Sequence, residues 1–310
     1  MKIFSGDSEI KKVNRPVVTV GSFDGLHIGH FEILNKVKKC AEEINGSSFV
    51  VTFDPHPRSV VSKHFDLKIL TSLAEKKEIL EAGGIENLAV INFTDGFSKL
   101  TSEEFIKKYV VEKIGAAKMV IGYDHKFGKD RLGDVNKLRE IGKVYGFEVE
   151  DVAPVTVETE IVSSTAIRNA LAEGNIDKAN FFLGRNYSLF GVVVIGAQRG
   201  RLLGFPTANI KLDEPSKSVP MKGVYFVACQ VENENHFGIM NIGYRPTFEH
   251  KHEIVLEVHV LNFSRDIYGK QFKVSFLRRL LEEKKFESKE ALIHQIETDK
   301  KLAMEFVNKF

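Results

Sequence analysis

His27 and His30 close the string GSFDGLHIGH, residues 21–30, which follows the apolar run PVVTV. Imidazoles held at the start of a helix can donate hydrogen bonds to phosphate. Attack on the α-phosphorus of a nucleoside triphosphate spreads negative charge over the nonbridging oxygens and the departing pyrophosphate, and fixed donors at those oxygens stabilise it. Gly21, Gly25 and Gly29 let the backbone approach, and the N–H groups of a helix beginning near Gly29 favour an anion. Both histidines are therefore read as donors to phosphate. A surface turn holding two histidines by chance competes seriously with the letters HxGH alone, and only remotely with all ten.

A second stretch suits a different phosphate chemistry. GVVVIGAQRGRLLGFPTANI, residues 191–210, begins as a strand and enters a loop in which Gly196, Gly200 and Gly204 free the backbone to point N–H groups at phosphate oxygens. The Walker pattern GxxxxGK[ST] is absent. Further on, EIVLEVHVLNF alternates Ile254, Leu256, Val258 and Val260 with Val255, Glu257, His259 and Leu261, so Glu257 points away from the aliphatic face. A carboxylate beside a primary alcohol can take its proton as the alcohol attacks a γ-phosphorus. Alone, the loop reads as a solvated hairpin and Glu257 as an exposed strand residue.

These residues need rigid elements to hold them. From residue 16 to about 150, β-rich runs (PVVTVG, SSFVVTF, ENLAVINF, AKMVIGYD, FEVEDV) alternate with helical ones, and Phe31, Leu34, Val37 and Ala41 recur at helical spacing in the first. Thr101 with Glu104 offers a capping box. The order predicts an α/β domain, a parallel sheet with helices on both faces, whose ligands sit beyond the carboxyl ends of the strands. After about residue 186 the pattern becomes strand after strand, which predicts a small antiparallel β-barrel. A charged helix with Ala291, Ile293, Ile296, Leu302, Phe306 and Val307 on one side is expected to cover it. The boundary is drawn in residues 181–187, giving domains 1–183 and 184–310.

Lys+Arg 44 against Asp+Glu 42 leaves a net charge of +2 over 310 residues, which argues against a nucleic-acid partner. Cys40 and Cys229 have no metal-type spacing and suit a reducing compartment. No apolar run approaches membrane-span length and none at the start resembles a signal peptide, so the expectation is a cytoplasmic protein with no membrane partner; the sequence does not give the oligomeric state, and a weak homo-oligomer stays open. The HxGH letters also occur in tRNA synthetases, but a KMSKS-type loop and a tRNA-binding domain are missing.

With TFDPHP at 52–57, GYDHKFG at 122–128 and SSTAIRNAL at 163–171 added, the chain resembles the prokaryotic bifunctional riboflavin kinase and FMN adenylyltransferase, or FAD synthetase, family over nearly its whole length. The resemblance implies a Rossmann-like nucleotidyltransferase domain followed by a riboflavin kinase barrel, with ATP, Mg²⁺, riboflavin, FMN and FAD as cofactor, substrates and products. It implies that His27 and His30 hold the ATP phosphates and that Gly21, Ser22, Phe23, Asp24, Gly29 and His56 border the nucleotide. Ser163, Ser164, Thr165 and Arg168 would close on it, Arg168 as a cationic clamp, with Asp124 at the family's acidic or amide position. His125 stands where an aromatic residue is usual and receives no role. In the barrel it implies nucleotide contacts from Gly196, Gly200, Arg201 and Gly204, magnesium on Thr207 and Asn209, a general base at Glu257, and binding by Gly223, Tyr225 and Arg245. Leu281 replaces the family's usual arginine, leaving a flavin contact either lost or supplied by Arg278 or Arg279. The rival readings are a nucleotidyltransferase of the same fold for another phosphorylated small molecule, and a flavin-binding sensor that no longer turns over. GRLLGFPTANI opposes the first; the presence of Glu257 and both histidines opposes the second.

Overall fold

The computed structural model describes residues 1–6, 10–62, 67–123, 128–129, 134–196, 205–246, 252–282 and 289–307. The chain forms two compact units, Met1–Ser164 and Thr165–Phe310.

The first unit is a six-stranded sheet in the order β1-β4-β3-β2-β5-β6, every pair parallel: β1 Lys2–Ser5, β2 Pro16–Val20, β3 Ser47–Asp54, β4 Asn87–Asn92, β5 Lys118–Gly122 and β6 Glu148–Val152. All five residues of β2 are buried, as befits a strand covered on both faces. Helices α1 Ile28–Glu43, α2 Pro57–Val61, α3 Leu73–Ala82, α4 Asp95–Ser98, α5 Ser102–Phe105 and α6 Val135–Tyr145 connect the strands. Thr101 and Glu104 make the expected reciprocal capping box, but α5 then widens into a π-helical segment, Ile106–Ile114, which the sequence pattern does not distinguish from an α-helix. The edge strand β1 was not expected from its four residues. It is pinned by pairing Lys2–Ser5 with Asn87–Val90, a tertiary contact without a local signal. Strand order reverses between β2 and β5, so the loops after β2 and β5 leave the sheet at its switch point.

A short hairpin, β7 Thr156–Val157 and β8 Glu160–Ile161, precedes α7 Ser164–Ala172. Two helices fill the stretch from Ser164 to Leu183. Gly174, at φ +72°, ends the first, and the Asn175 side chain caps α8, Ile176–Leu183. The second unit closes a barrel in the order β10-β13-β12-β11-β14-β9: β9 Ser188–Val194, β10 Ala208–Leu212, β11 Gly223–Val231, β12 Glu234–Pro246, β13 His252–Val260 and β14 Gln271–Leu281. Its pairs are antiparallel, as expected. β10 begins inside the letters PTANI. The terminal helix α9, Lys289–Val307, lays Ala303, Met304 and Phe306 against Phe226, Ile239 and Leu261 of the barrel. Ile254, expected with the inner aliphatics, is 44% exposed, whereas Leu256, Val258 and Val260 are buried.

Candidate functional sites

The loop after β2 is built on left-handed backbone. Phe23 (φ +46°), Gly25 (+90°) and Leu26 (+42°) all lie there, and the apolar side chains that accept this strain, Phe23 and Leu26, are buried. Gly25 donates its N–H to Thr71 Oγ1 at 3.0 Å. Asp24, 2% exposed, accepts at one carboxylate oxygen from Leu70 N (2.8 Å) and Thr71 N (3.0 Å), so this oxygen straps the loop to residues 70–71. Gly21 donates to Val51 O, joining the loop's start to β3.

His27 is the N-cap of α1, and its Nδ1 accepts from the backbone N–H of His30 at 3.3 Å. In a neutral ring that acceptor role places the proton on Nε2, which becomes the donor. The two imidazoles stack with centroids 3.7 Å apart, and Phe23 meets the His30 ring edge-on at 5.2 Å. Each ring thus fixes the other's plane. Gly29 lies in the first turn of α1, where an added Cβ would come 3.2 Å from His27 Nδ1, tight enough to disturb the cap.

Ser164, first residue of α7, donates its hydroxyl to Asp24 O at 2.7 Å, a contact within the first unit. Ser163 is half-buried beside it, Thr165 exposed, and Arg168 half-buried one helical turn further along α7. The His56 side chain caps α2 by accepting from Arg58 N at 3.1 Å. Asp124 and His125 lie outside the described residues, as do Gly200, Arg201 and Gly204.

In the barrel, Glu257 on β13 pairs directly with Asn209 on β10 and with Asn241 on β12, a row of three polar side chains across neighbouring strands. Asn209 is buried, and Glu257 and Thr207 are half-buried. A Cβ at Gly196 would fall 2.2 Å from the Asn209 amide, so only glycine lets that amide sit there. His259 Nδ1 lies 2.9 Å from Pro206 O, and its ring meets Phe205 edge-on. Burial pushes its pKa below the ordinary value against the opposing Pro206 carbonyl. It pins the PTAN segment as a packing partner.

Tyr225 was expected to touch ligand. It is fully buried, stands edge-on to Phe276 at 5.2 Å, donates its hydroxyl to Met221 O, and has its pKa raised by burial to about 12. This ring packs the barrel and anchors the VPMKG turn. Gly223 opens β11 where a Cβ would lie 2.7 Å from Leu281 O. Arg245 is on β12, and its side chain lies outside the described part.

Residues 9–166 match the family model described as FAD synthetase, and residues 183–307 match the one described as riboflavin kinase. The chain is 37% identical to a bifunctional riboflavin kinase/FMN adenylyltransferase of Listeria monocytogenes, over 91% of this chain and 90% of the relative. It is 35% identical to the enzyme of that name from Bacillus subtilis, over 94% of this chain and 92% of the relative. The chain belongs to the bifunctional riboflavin kinase/FMN adenylyltransferase family. A crystal structure described as a macrolide-efflux protein from Streptococcus pneumoniae superposes with a TM-score of 0.90 at 30% identity, covering 98% of this chain and 99% of that one. Among the described residues here no helix is long and apolar enough to cross a membrane.

Of the two arginines near the family position that Leu281 fills, Arg278 lies over the Phe306 ring at 5.3 Å, engaged with α9. Arg279 turns the other way, donating to Lys222 O at 3.1 Å beside the flavokinase turn that Gly223 opens. Sequence reading missed Asn241, Thr71 and Lys76. Asn241 was visible in NIGY but has no chemical spacing of its own. Thr71 and Lys76 sit in TSLAEKKEIL, which reads simply as an amphipathic helix with its cap.

Proposed function

We propose that the chain makes FMN in its barrel and FAD at the carboxyl edge of its parallel sheet, each with its own ATP site. The observation that carries this is that each matched segment holds its own cluster of groups suited to one of the two steps. His27 and His30 stack at a helix N-terminus within residues 9–166, and Asn209 faces Glu257 within residues 183–307.

In adenylyl transfer, Nε2–H of His27 and the His30 ring donate to the triphosphate, and the α1 N-terminus adds its partial positive charge. Asp24 acts through position, holding the left-handed loop. Ser164 steadies that loop through the Asp24 carbonyl, and Ser163, Thr165 and Arg168 are assigned to the phosphates. Glycine backbone at residues 21–25, Ser22, Phe23 and His56 border the nucleotide. Donation from fixed groups lowers the barrier because the charge they meet grows as pyrophosphate departs. The attacking FMN phosphate is already ionised near neutral pH, its second pKa being roughly 6, so no general base is required.

In phosphoryl transfer, Glu257 accepts the proton of the riboflavin primary alcohol as its oxygen attacks the γ-phosphorus. Thr207 and Asn209 offer a hydroxyl and an amide oxygen, hard donors that fit Mg²⁺, and Asn209 is buried and held by Gly196. Bound there, the ion would neutralise charge on the transferring phosphates. Gly223 and Arg245 contribute to binding, with Gly196, Gly200, Arg201 and Gly204 assigned to the phosphates. The free thiols Cys40 and Cys229, both buried, suit a cytoplasmic setting.

Incubation with riboflavin, ATP and Mg²⁺, followed by chromatography, tests the reading. FMN should rise first and FAD follow. FAD from supplied FMN with no FMN from riboflavin would remove the kinase assignment, and the converse would remove the adenylyltransferase.

A further inference from the structure

Lys76 lies on α3, outside every motif discussed above, and is 5% exposed. Its Nζ donates to Ser22 O at 2.7 Å and to Thr52 Oγ1 at 3.1 Å, and Thr52 Oγ1 in turn donates to Ser22 O at 3.3 Å. One buried amine therefore joins GSFDGLHIGH to TFDPHP at the carboxyl edge of the sheet. Among the described residues no carboxylate lies within ion-pairing distance of it. Burial pushes its pKa below the ordinary lysine value, with Asp24 and Asp54 acting in the opposite direction.

The Ser22 carbonyl shares a trans, planar peptide with the N–H of Phe23. With the oxygen drawn toward Lys76, that N–H must point the opposite way. No acceptor among the described residues takes it, and a buried N–H left unpaired is costly. Phe23 is also the first of the left-handed residues in the loop, a backbone form that gathers N–H groups toward an anion.

We propose that Lys76 is a positioning residue for adenylyl transfer: by holding Ser22 O from beneath, it aims the Phe23 N–H at the ATP phosphates. The amine polarises that peptide, which makes the N–H a stronger donor. This rests on the reading that the GSFDGLHIGH loop takes ATP.

The test uses Lys76→Met and Lys76→Gln in the full chain, with KM for ATP and for FMN measured in FAD synthesis and riboflavin phosphorylation measured on the same preparations. Lys76→Met should raise the ATP KM of adenylylation by about 10-fold to 100-fold, the scale of a misplaced contact. The FMN KM and the kinase should hold at parental values. Lys76→Gln, whose amide can still donate to Ser22 O, should recover part of the loss, and it carries the same test alone if the methionine variant does not fold. A parental ATP KM overturns the proposal, as does a defect shared equally by the FMN KM or the kinase, the pattern of a residue that only supports the fold. His30→Ala, run in parallel, separates the two failures. A normal ATP KM and turnover in His30→Ala sinks the ATP reading of the loop and the Lys76 proposal together. A defect there with a parental Lys76→Met sinks the Lys76 proposal alone.

Discussion

The Ser164 hydroxyl donates to the carbonyl of Asp24 at 2.7 Å, joining two segments 140 residues apart in the chain. The same Asp24 holds residues 70–71 through its carboxylate, so three stretches meet at one residue. Ser164→Ala should cost about 1 kcal/mol of stability. FAD formation should slow by roughly 10-fold as the Asp24 loop loses this support, while riboflavin phosphorylation stays unchanged. Denaturant unfolding and the two activity assays check this directly.

Asp24→Ala should be worse. It strands the buried N–H groups of Leu70 and Thr71, at about 1–3 kcal/mol each, and releases the left-handed loop. Urea unfolding followed by a probe in the first unit should show an earlier midpoint. A variant as stable as the parent would mean that residues 70–71 find other acceptors.

Acid should weaken the first unit through Glu150. Hydrogen bonds from Lys118 at 2.8 Å and from Lys36 hold this carboxyl down to about 2, against an ordinary value of 4.5. Because the folded value is depressed, its contribution is fully present above 4.5 and is lost as pH falls through about 2. Lys118, raised by the same contacts, contributes up to its ordinary 10.5 and loses that contribution only above it. The stability gap between the parent and Glu150→Gln should therefore shrink across that acid window. A gap independent of pH would show that the carboxylate's charge does not matter there.

The kinase portion should stand alone, and its best starting point follows from Asn180. This α8 side chain accepts from Tyr187 N at 2.7 Å and donates to Phe276 O at 2.8 Å, tying the helix to β14. A fragment from Thr165 should exceed one from Leu183 in stability by about 1–3 kcal/mol. Both should convert riboflavin to FMN without making FAD. Thermal melts of the two fragments decide the first point and product chromatography the second.

The parallel sheet, the barrel and the covering helix were legible because burial imposes a period on sequence, as in the unbroken PVVTV or the alternation around Glu257. The histidine pair was legible because its string is long and specific. β1 and the π-helical segment were not, since pairing with β4 and a widened turn leave no local pattern. The burial of Tyr225 was not legible, because a tyrosine beside a glycine turn has the same letters whether its ring faces solvent or core. Lys76 was invisible for a related reason: a lysine in a charged helix reads as solvated, and only the fold shows it buried beneath Ser22.

The central claim is that two separate sites perform the two steps, and the most direct test measures both activities on His30→Ala and Glu257→Gln. His30→Ala should lose roughly 10²-fold or more in FAD formation from FMN and keep riboflavin phosphorylation. Glu257→Gln should lose about 10²-fold to 10⁴-fold in riboflavin phosphorylation and keep FAD formation. Equal loss of both activities in either folded variant, or parental FMN synthesis by Glu257→Gln, would contradict it.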